Sequence, residues 1–245
     1  MEVIDEIQPS ADIINNSQRA KNVVYAFYAI IVLSVIALYS NWLQLNLLED
    51  FMADVFVPDA EVDSNDQRQM VIGLLQAGLL ITTGILFIAW FYRAYRNVHV
   101  IFGEKKMKFS KSMAGWGFII PIMSLYVPYQ IAKEITEKQQ NVLRRIVPGY
   151  KSVVSLTIVG VWWTAFIINN VIENIAFRSV FKTDTLDELL VSTKAYIVTD
   201  FIDIIAAIIT IALVQQISKE ESILFKNSYN LDLSTNSLVK SNIEE

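Results

Sequence analysis

The residues in this chain whose types and spacing could do chemistry are few. Asp200 and Asp203 stand three apart inside a tract, 195–217, that is otherwise uncharged; Asn169 and Glu173 stand four apart beside a second apolar tract, with Asn170 on the adjoining stripe. Offsets of three and four place side chains on one helix face. Carboxylates and amides so placed at membrane depth form a candidate cation or proton site, because an intramembrane acid costs about 2.5–3.5 kcal/mol on insertion scales and is read by default as functional. The competing reading puts the membrane boundary near Phe201 and leaves Asp200 in water. Other chemistries are poorly supplied. The chain has no cysteine and one histidine, His99, so thiolate metal sites, cysteine nucleophiles and multi-histidine centres are excluded. Intramembrane proteolysis would need a serine–histidine pair or aspartates on separate helices, whereas Asp200 and Asp203 share one. Asp59, Glu61, Asp63 and Asp66 have the spacing of a calcium loop but lack its turn glycine and closing glutamate, and read as a solvated acidic loop. No enzyme activity, cofactor or metal is expected.

The elements that must position these residues are set by composition. Of 245 residues, 53% are hydrophobic and 18% charged, with mean hydropathy +0.40, against about a quarter charged in soluble domains. The apolar residues gather in tracts at 23–43, 70–92, 152–172 and 195–217. Each is long enough, at 1.5 Å per residue, to cross a hydrocarbon core of about 30 Å. Residues 1–22 lack the order of a cleaved secretory signal and read as a retained N-terminal segment. In the outer acidic loop 44–69, Leu47, Leu48, Phe51, Met52, Val55 and Phe56 recur at helical spacing up to Pro58. They form either an amphipathic surface helix or a packed helical extension. Gly73, Ala77 and Gly84 share a face that would admit another helix closely. The tail 218–245 is read as a short helical continuation followed by disorder.

A fifth uncharged stretch, 113–131, is long enough to span, and charge decides its fate. If it does not cross, the cytoplasmic side carries 16 Lys and Arg and the outer side 4; if it crosses, the split is 11 to 9. The excess of Lys and Arg on cytoplasmic loops favours the first arrangement, with both termini cytoplasmic. Gly115, Gly117, Pro121 and Pro128 agree, since internal prolines remove helix bonds and clash with the preceding turn. A re-entrant segment of this kind is buried against protein or lines a wet cavity, as lipid cannot satisfy its free backbone groups. A segment lying flat in the inner interface is the other non-crossing form.

Trp90, Tyr92, Arg93, Tyr95 and Arg96 form an aromatic and basic motif at the inner end of the second span. With Lys105, Lys106, Lys108 and Lys111 it reads as an interfacial anchor to anionic headgroups, with His99 a further interfacial residue. Arg93 or Arg96 is expected to pair with Glu134 and pin the foot of the broken segment. The run Trp90 to Asn97, the run Gly115 to Gln130 with Trp116, Pro121, Pro128, Tyr129 and Gln130, and the pair Trp162 and Trp163 together resemble a bacterial membrane family described as domain of unknown function 4328. Its pattern has an aromatic-Tyr-Arg-Ala-Tyr-Arg-Asn run, a Trp and Pro-Ile followed seven residues later by Pro-Tyr-Gln, and a Trp-Trp pair. The resemblance covers roughly residues 70–217. Gly117 stands where a second tryptophan is frequent and Ser124 where asparagine is usual. The resemblance implies a multi-pass membrane protein and no activity, substrate or cofactor.

The expected architecture is an all-α integral membrane protein of the cell (inner) membrane. It is a four-helix transmembrane bundle with a proline-broken re-entrant or interfacial segment between the second and third spans. Its partners are the lipid bilayer and a protein at the cytoplasmic basic loops; nucleic acid is not one, and the oligomeric state is not set by the sequence. The expected role is a non-enzymatic scaffold or sensor subunit. The alternative is a small ion or solute carrier or channel built on the carboxylate site.

Overall fold

A computed structural model describes residues 13–180 and 185–241, with side chains described at 13–178 and 185–227. The first twelve residues of the N-terminal segment lie outside the described residues, as does the end of the tail beyond 241. Among the described residues there are six α-helices and no strand: α1 (Ser17–Met52), α2 (Asp59–Phe102), α3 (Met113–Ile119), α4 (Val127–Ile146), α5 (Leu156–Val180) and α6 (Leu186–Ser241). Four of them, α1, α2, α5 and α6, are long and apolar enough to cross a membrane.

The helix boundaries correct several expectations. Residues 44–69 are not a loop: α1 continues to Met52 and α2 begins at Asp59. Only the turn 53–58 separates them. Asp54 takes the left-handed conformation (φ 55) at the end of α1, and Val55 N–H donates to Asp50 O at 3.0 Å, closing the helix in the way glycine usually does. Asp59 and Glu61 fall in the first turn of α2, where negative charge is favoured by the helix dipole. Of the acids that resembled a calcium loop, Asp59 and Glu61 are helix-start residues, and Asp63 and Asp66 lie further along α2. The tail is helical through Ser241; residues 218–241 contain neither glycine nor proline to stop α6.

The stretch 113–131 is broken as expected at Pro121, but not at Pro128. α3 is only seven residues long. It ends because Ile120 precedes Pro121, which disfavours the helical region at the residue before it; Ile120 is extended at φ −79, ψ 117. Pro128 breaks nothing. It sits in the first turn of α4, where its missing N–H would have no partner anyway and its fixed φ suits the helix. Gly117 lets the two helices meet: a Cβ there would lie 2.8 Å from Val127 Cγ1 and 3.2 Å from Val127 Cβ.

The chain divides into two compact units, Met1–Val24 with Ile85–Val161 and Ala212–Glu245, and Tyr25–Gly84 with Trp162–Ile211. In the second unit polarity is inverted relative to a soluble core. Ser34, Ser40, Asn41, Thr193 and Asp200 are buried, while Val32, Leu74, Ile81 and Val198 are more than half exposed. Helices that face hydrocarbon show this pattern, since lipid is as apolar as leucine and polar groups must find one another. Gly73, Ala77 and Gly84 lie on the exposed surface of α2, and a Cβ at Gly73 or Gly84 would meet nothing within 4 Å. They mark no helix contact among the described residues.

The first unit has a conventional interior. Trp90, Phe91, Ala94, Tyr95, Val98 and Ile101 from α2 are almost wholly buried with Ile131, Ile135 and Leu143 from α4 and Leu213 and Ile217 from α6. Phe118 of α3 meets Phe87 and Phe91 edge-on, with centroids 5.8 and 5.6 Å apart. Trp90 and Tyr95, expected as interfacial rings, are instead in the core, with Phe91 between them in the chain also buried. Tyr92 keeps an outward position, and Arg93 and Arg96 are half-buried.

Candidate functional site

In the second unit four of the five candidate residues divide between two clusters. Asp200 is buried. One oxygen accepts the Asn41 amide of α1 at 2.9 Å and the other the Gln76 amide of α2 at 2.9 Å. It is not the solvated residue that a boundary at Phe201 would leave. Beside it Gln44 donates to Thr193 Oγ1 at 2.9 Å, and Arg68 reaches Ser40 Oγ at 2.9 Å and Asn65 Oδ1 at 2.6 Å.

Asp203, one turn along α6, turns to α5, where its carboxyl meets that of Glu173 and the Asn169 amide. Asn169 also donates to Glu173 Oε1 at 2.8 Å. Asn169 Oδ1 is buried without a partner. Asn170 is exposed and donates to Phe166 O of its own helix at 2.7 Å, so it belongs to neither cluster. Among the described residues no group of three or more His, Asp and Glu side chains is arranged to hold a metal ion.

The first unit holds three buried carboxylates that each tie a stretch of chain to a helix. Glu134 was expected to pair with Arg93 or Arg96. Its Oε2 instead accepts the Tyr95 hydroxyl at 2.8 Å, and its Oε1 the Lys108 backbone N–H at 3.1 Å. A phenol and an amide satisfy a buried carboxylate without bringing a second charge out of water. His99, expected at the interface, is buried against Tyr95; its ring nitrogens face Tyr95 O and Phe109 O, each at 3.0 Å.

The other two carboxylates, Glu220 and Glu221, were not singled out by the sequence reading. Glu220 Oε1 accepts the Tyr150 hydroxyl, Ser152 Oγ at 3.2 Å and the backbone N–H groups of Val153 and Val154 at 3.0 and 3.2 Å. It thereby fixes the approach to α5. Burial and the Glu220 carboxylate push the Tyr150 phenol upward from its ordinary value. Glu221 accepts Asn97 Nδ2 at 2.6 Å and Asn16 Nδ2 at 3.0 Å. Asn97 also holds both backbone groups of Ile14, at 3.1 and 2.8 Å. The usable sequence signal was two adjacent acids just past the apolar tract 195–217. It resembles an ordinary helix end too closely to stand alone.

The residues of the broken segment are spread over both sides of it. Gly115 packs on Ile88, with a Cβ expected at 3.5 Å from Ile88 Cγ2, and Pro128 is buried. Tyr129 and Gln130 are half-buried, Gln130 taking the Lys108 ammonium at 3.4 Å, and Trp116 and Pro121 face outward. Among known proteins, the model of a family described as a domain of unknown function (DUF4328) matches residues 53–219. No curated protein and no solved structure matches the chain.

Proposed function

The chain belongs to the family described as a domain of unknown function (DUF4328), and from that footing we propose that it is a non-enzymatic scaffold or sensor subunit of the bacterial inner membrane. In this reading α1, α2, α5 and α6 cross as a bundle, both termini are cytoplasmic, and residues 113–131 remain on the inner side. The observation that carries it is the engagement of Asp200: both of its oxygens are taken by Asn41 and Gln76 of neighbouring helices. A transported cation would have to displace both amides, whereas a positioning residue uses them to hold three helices in register.

The carrier or channel reading is favoured by one arrangement only, the meeting of Glu173 and Asp203 beside an unpartnered Asn169 oxygen. One experiment separates the two. The purified protein, Asp203→Asn and Asp203→Leu are compared by thermal unfolding across a series of monovalent and divalent salts. The scaffold reading expects no cation-specific stabilisation of the wild type, near-wild-type stability for the amide, and about 1–3 kcal/mol lost in the leucine variant through the unpaired groups left behind. Cation-specific stabilisation of the wild type that disappears in Asp203→Asn would replace the scaffold by the carrier.

A further inference from the structure

The turn between α3 and α4 carries an apolar surface that the described residues leave exposed. Trp116 is 56% exposed, Ile119 61%, Ile122 76% and Leu125 61%. The opposite side of the same element is packed: Ala114, Gly117, Val127 and Pro128 are buried. The exposed side is therefore a face of a fixed element. Scattered apolar residues on a surface are ordinary, but a contiguous group at the tip of a turn marks a place for a partner.

Two further features identify that partner as lipid. Four of the turn's backbone N–H groups are held within it: Ile120 by Trp116 O at 3.0 Å, Ser124 by Ile120 O at 2.8 Å, Leu125 by Ile122 O at 3.4 Å and Tyr126 by Met123 O at 3.1 Å. Pro121 has none to satisfy, and Ser124 Oγ bonds Pro121 O at 2.7 Å. Irregular backbone is excluded from hydrocarbon because of unsatisfied polar groups, and here most of that obstacle is removed. The chain leading into α3 is basic: Lys105, Lys106, Lys108 and Lys111 against Glu104, which Lys111 already pairs at 3.0 Å. Lys105, Lys106 and Lys108 are exposed. An apolar tip with a tryptophan, flanked by lysines, has the chemistry of the boundary between acyl chains and anionic headgroups. A protein epitope would offer orienting polar groups, which the side chains of Ile119, Ile122 and Leu125 lack.

We propose that the α3–α4 turn is a lipid wedge, with Trp116, Ile119, Ile122 and Leu125 entering the acyl layer of the inner leaflet and Lys105, Lys106 and Lys108 holding anionic phospholipid headgroups. The proposal deepens the sensor reading by giving it a ligand, anionic lipid, and rests on residues 113–131 remaining on the inner side. Both forms of non-crossing segment considered from sequence differ from it: the tip is neither sheltered by protein nor laid flat.

The test uses the full chain, which has no native cysteine. Ile122→Cys carrying an environment-sensitive fluorophore is reconstituted in vesicles of phosphatidylcholine with increasing phosphatidylglycerol. Quenching is compared between spin-labelled acyl chains and aqueous iodide. A blue-shifted signal quenched by the acyl-chain label and strengthened by phosphatidylglycerol is expected. Each of Lys105→Ser, Lys106→Ser and Lys108→Ser should weaken the apparent affinity for anionic lipid roughly fivefold, with unchanged thermal unfolding showing that the fold is intact. Iodide quenching at all compositions, protection from both quenchers, which would indicate a protein cover, or indifference to the lysine substitutions would each overturn the wedge. In cells, impermeant labelling of a cysteine at the exposed Asn141 from outside would overturn the topology beneath it. A position 141 labelled only after permeabilisation with a water-exposed position 122 would overturn the wedge alone.

Discussion

At the scale of single residues, this protein spends its acids on holding chain together. Glu134, Glu220 and Glu221 are each at least 95% buried and accept hydroxyl or amide donors in the first unit. Removing one donor leaves a buried carboxylate short of a bond, which costs about 1–3 kcal/mol. Tyr95→Phe is therefore expected to lower the unfolding temperature measurably, while Tyr92→Phe, at an outward position, should stay within about 0.5 kcal/mol of wild type. Equal effects would show that the Tyr95 hydroxyl does not hold Glu134. Tyr150 adds a pH dependence. Its phenol is raised in the folded state by burial and by Glu220, so folding favours the protonated form. That contribution is complete below the unfolded value of about 10 and is lost as pH rises beyond it. The stability advantage of wild type over Tyr150→Phe should hold from neutral pH to about 10 and then shrink. An advantage independent of pH would remove the phenol from this role.

At the scale of elements, the two prolines of the broken segment do opposite things. Pro121 ends α3 by excluding helix at Ile120, and Pro128 opens α4. Pro121→Leu should let α3 extend and reduce folded yield, whereas Pro128→Leu should be tolerated, since a leucine N–H at that position has no helical acceptor to lose. A severe Pro128→Leu phenotype with an innocuous Pro121→Leu would reverse this assignment. Gly117 offers a sharper test, because Val127 is β-branched and stiff. Gly117→Ala places a Cβ at 2.8 Å from Val127 Cγ1 and should cost about 1–3 kcal/mol by overpacking. Adding Val127→Ala should return part of that loss. Additive losses in the double variant would mean that the two side chains do not compete for one space.

At the scale of the whole molecule, the proposed topology predicts a labelling pattern. Single cysteines at Ser64 and Thr185 should react with an impermeant reagent from outside, and those at Ser110, the exposed Asn141 and Ser237 only after permeabilisation. Reaction of position 141 from outside with position 110 protected would make 113–131 a fifth crossing. α3 has only seven residues, roughly 10 Å at 1.5 Å per residue, far short of a hydrocarbon core of about 30 Å. α4 is not among the helices apolar enough to span.

By itself the sequence determined the membrane class and the four apolar helices, because hydrocarbon imposes a length and a composition on any helix that crosses it, and both are local properties of the chain. It also marked the interrupted segment, since proline and glycine act on their own neighbours. What it left to tertiary structure was the destination of each polar side chain. Asp200 and Asp203 share a helix face, yet one reaches Asn41 and Gln76 and the other Glu173 and Asn169. Trp90 and Tyr95 have the composition of an interfacial belt but are core. Glu220 and Glu221 look like an ordinary helix end yet are almost fully buried. A buried carboxylate is satisfied by whichever donor arrives, here from residues 66 to 205 positions away. Local pattern cannot encode that choice; only the packed fold brings donor and acceptor within hydrogen-bonding distance.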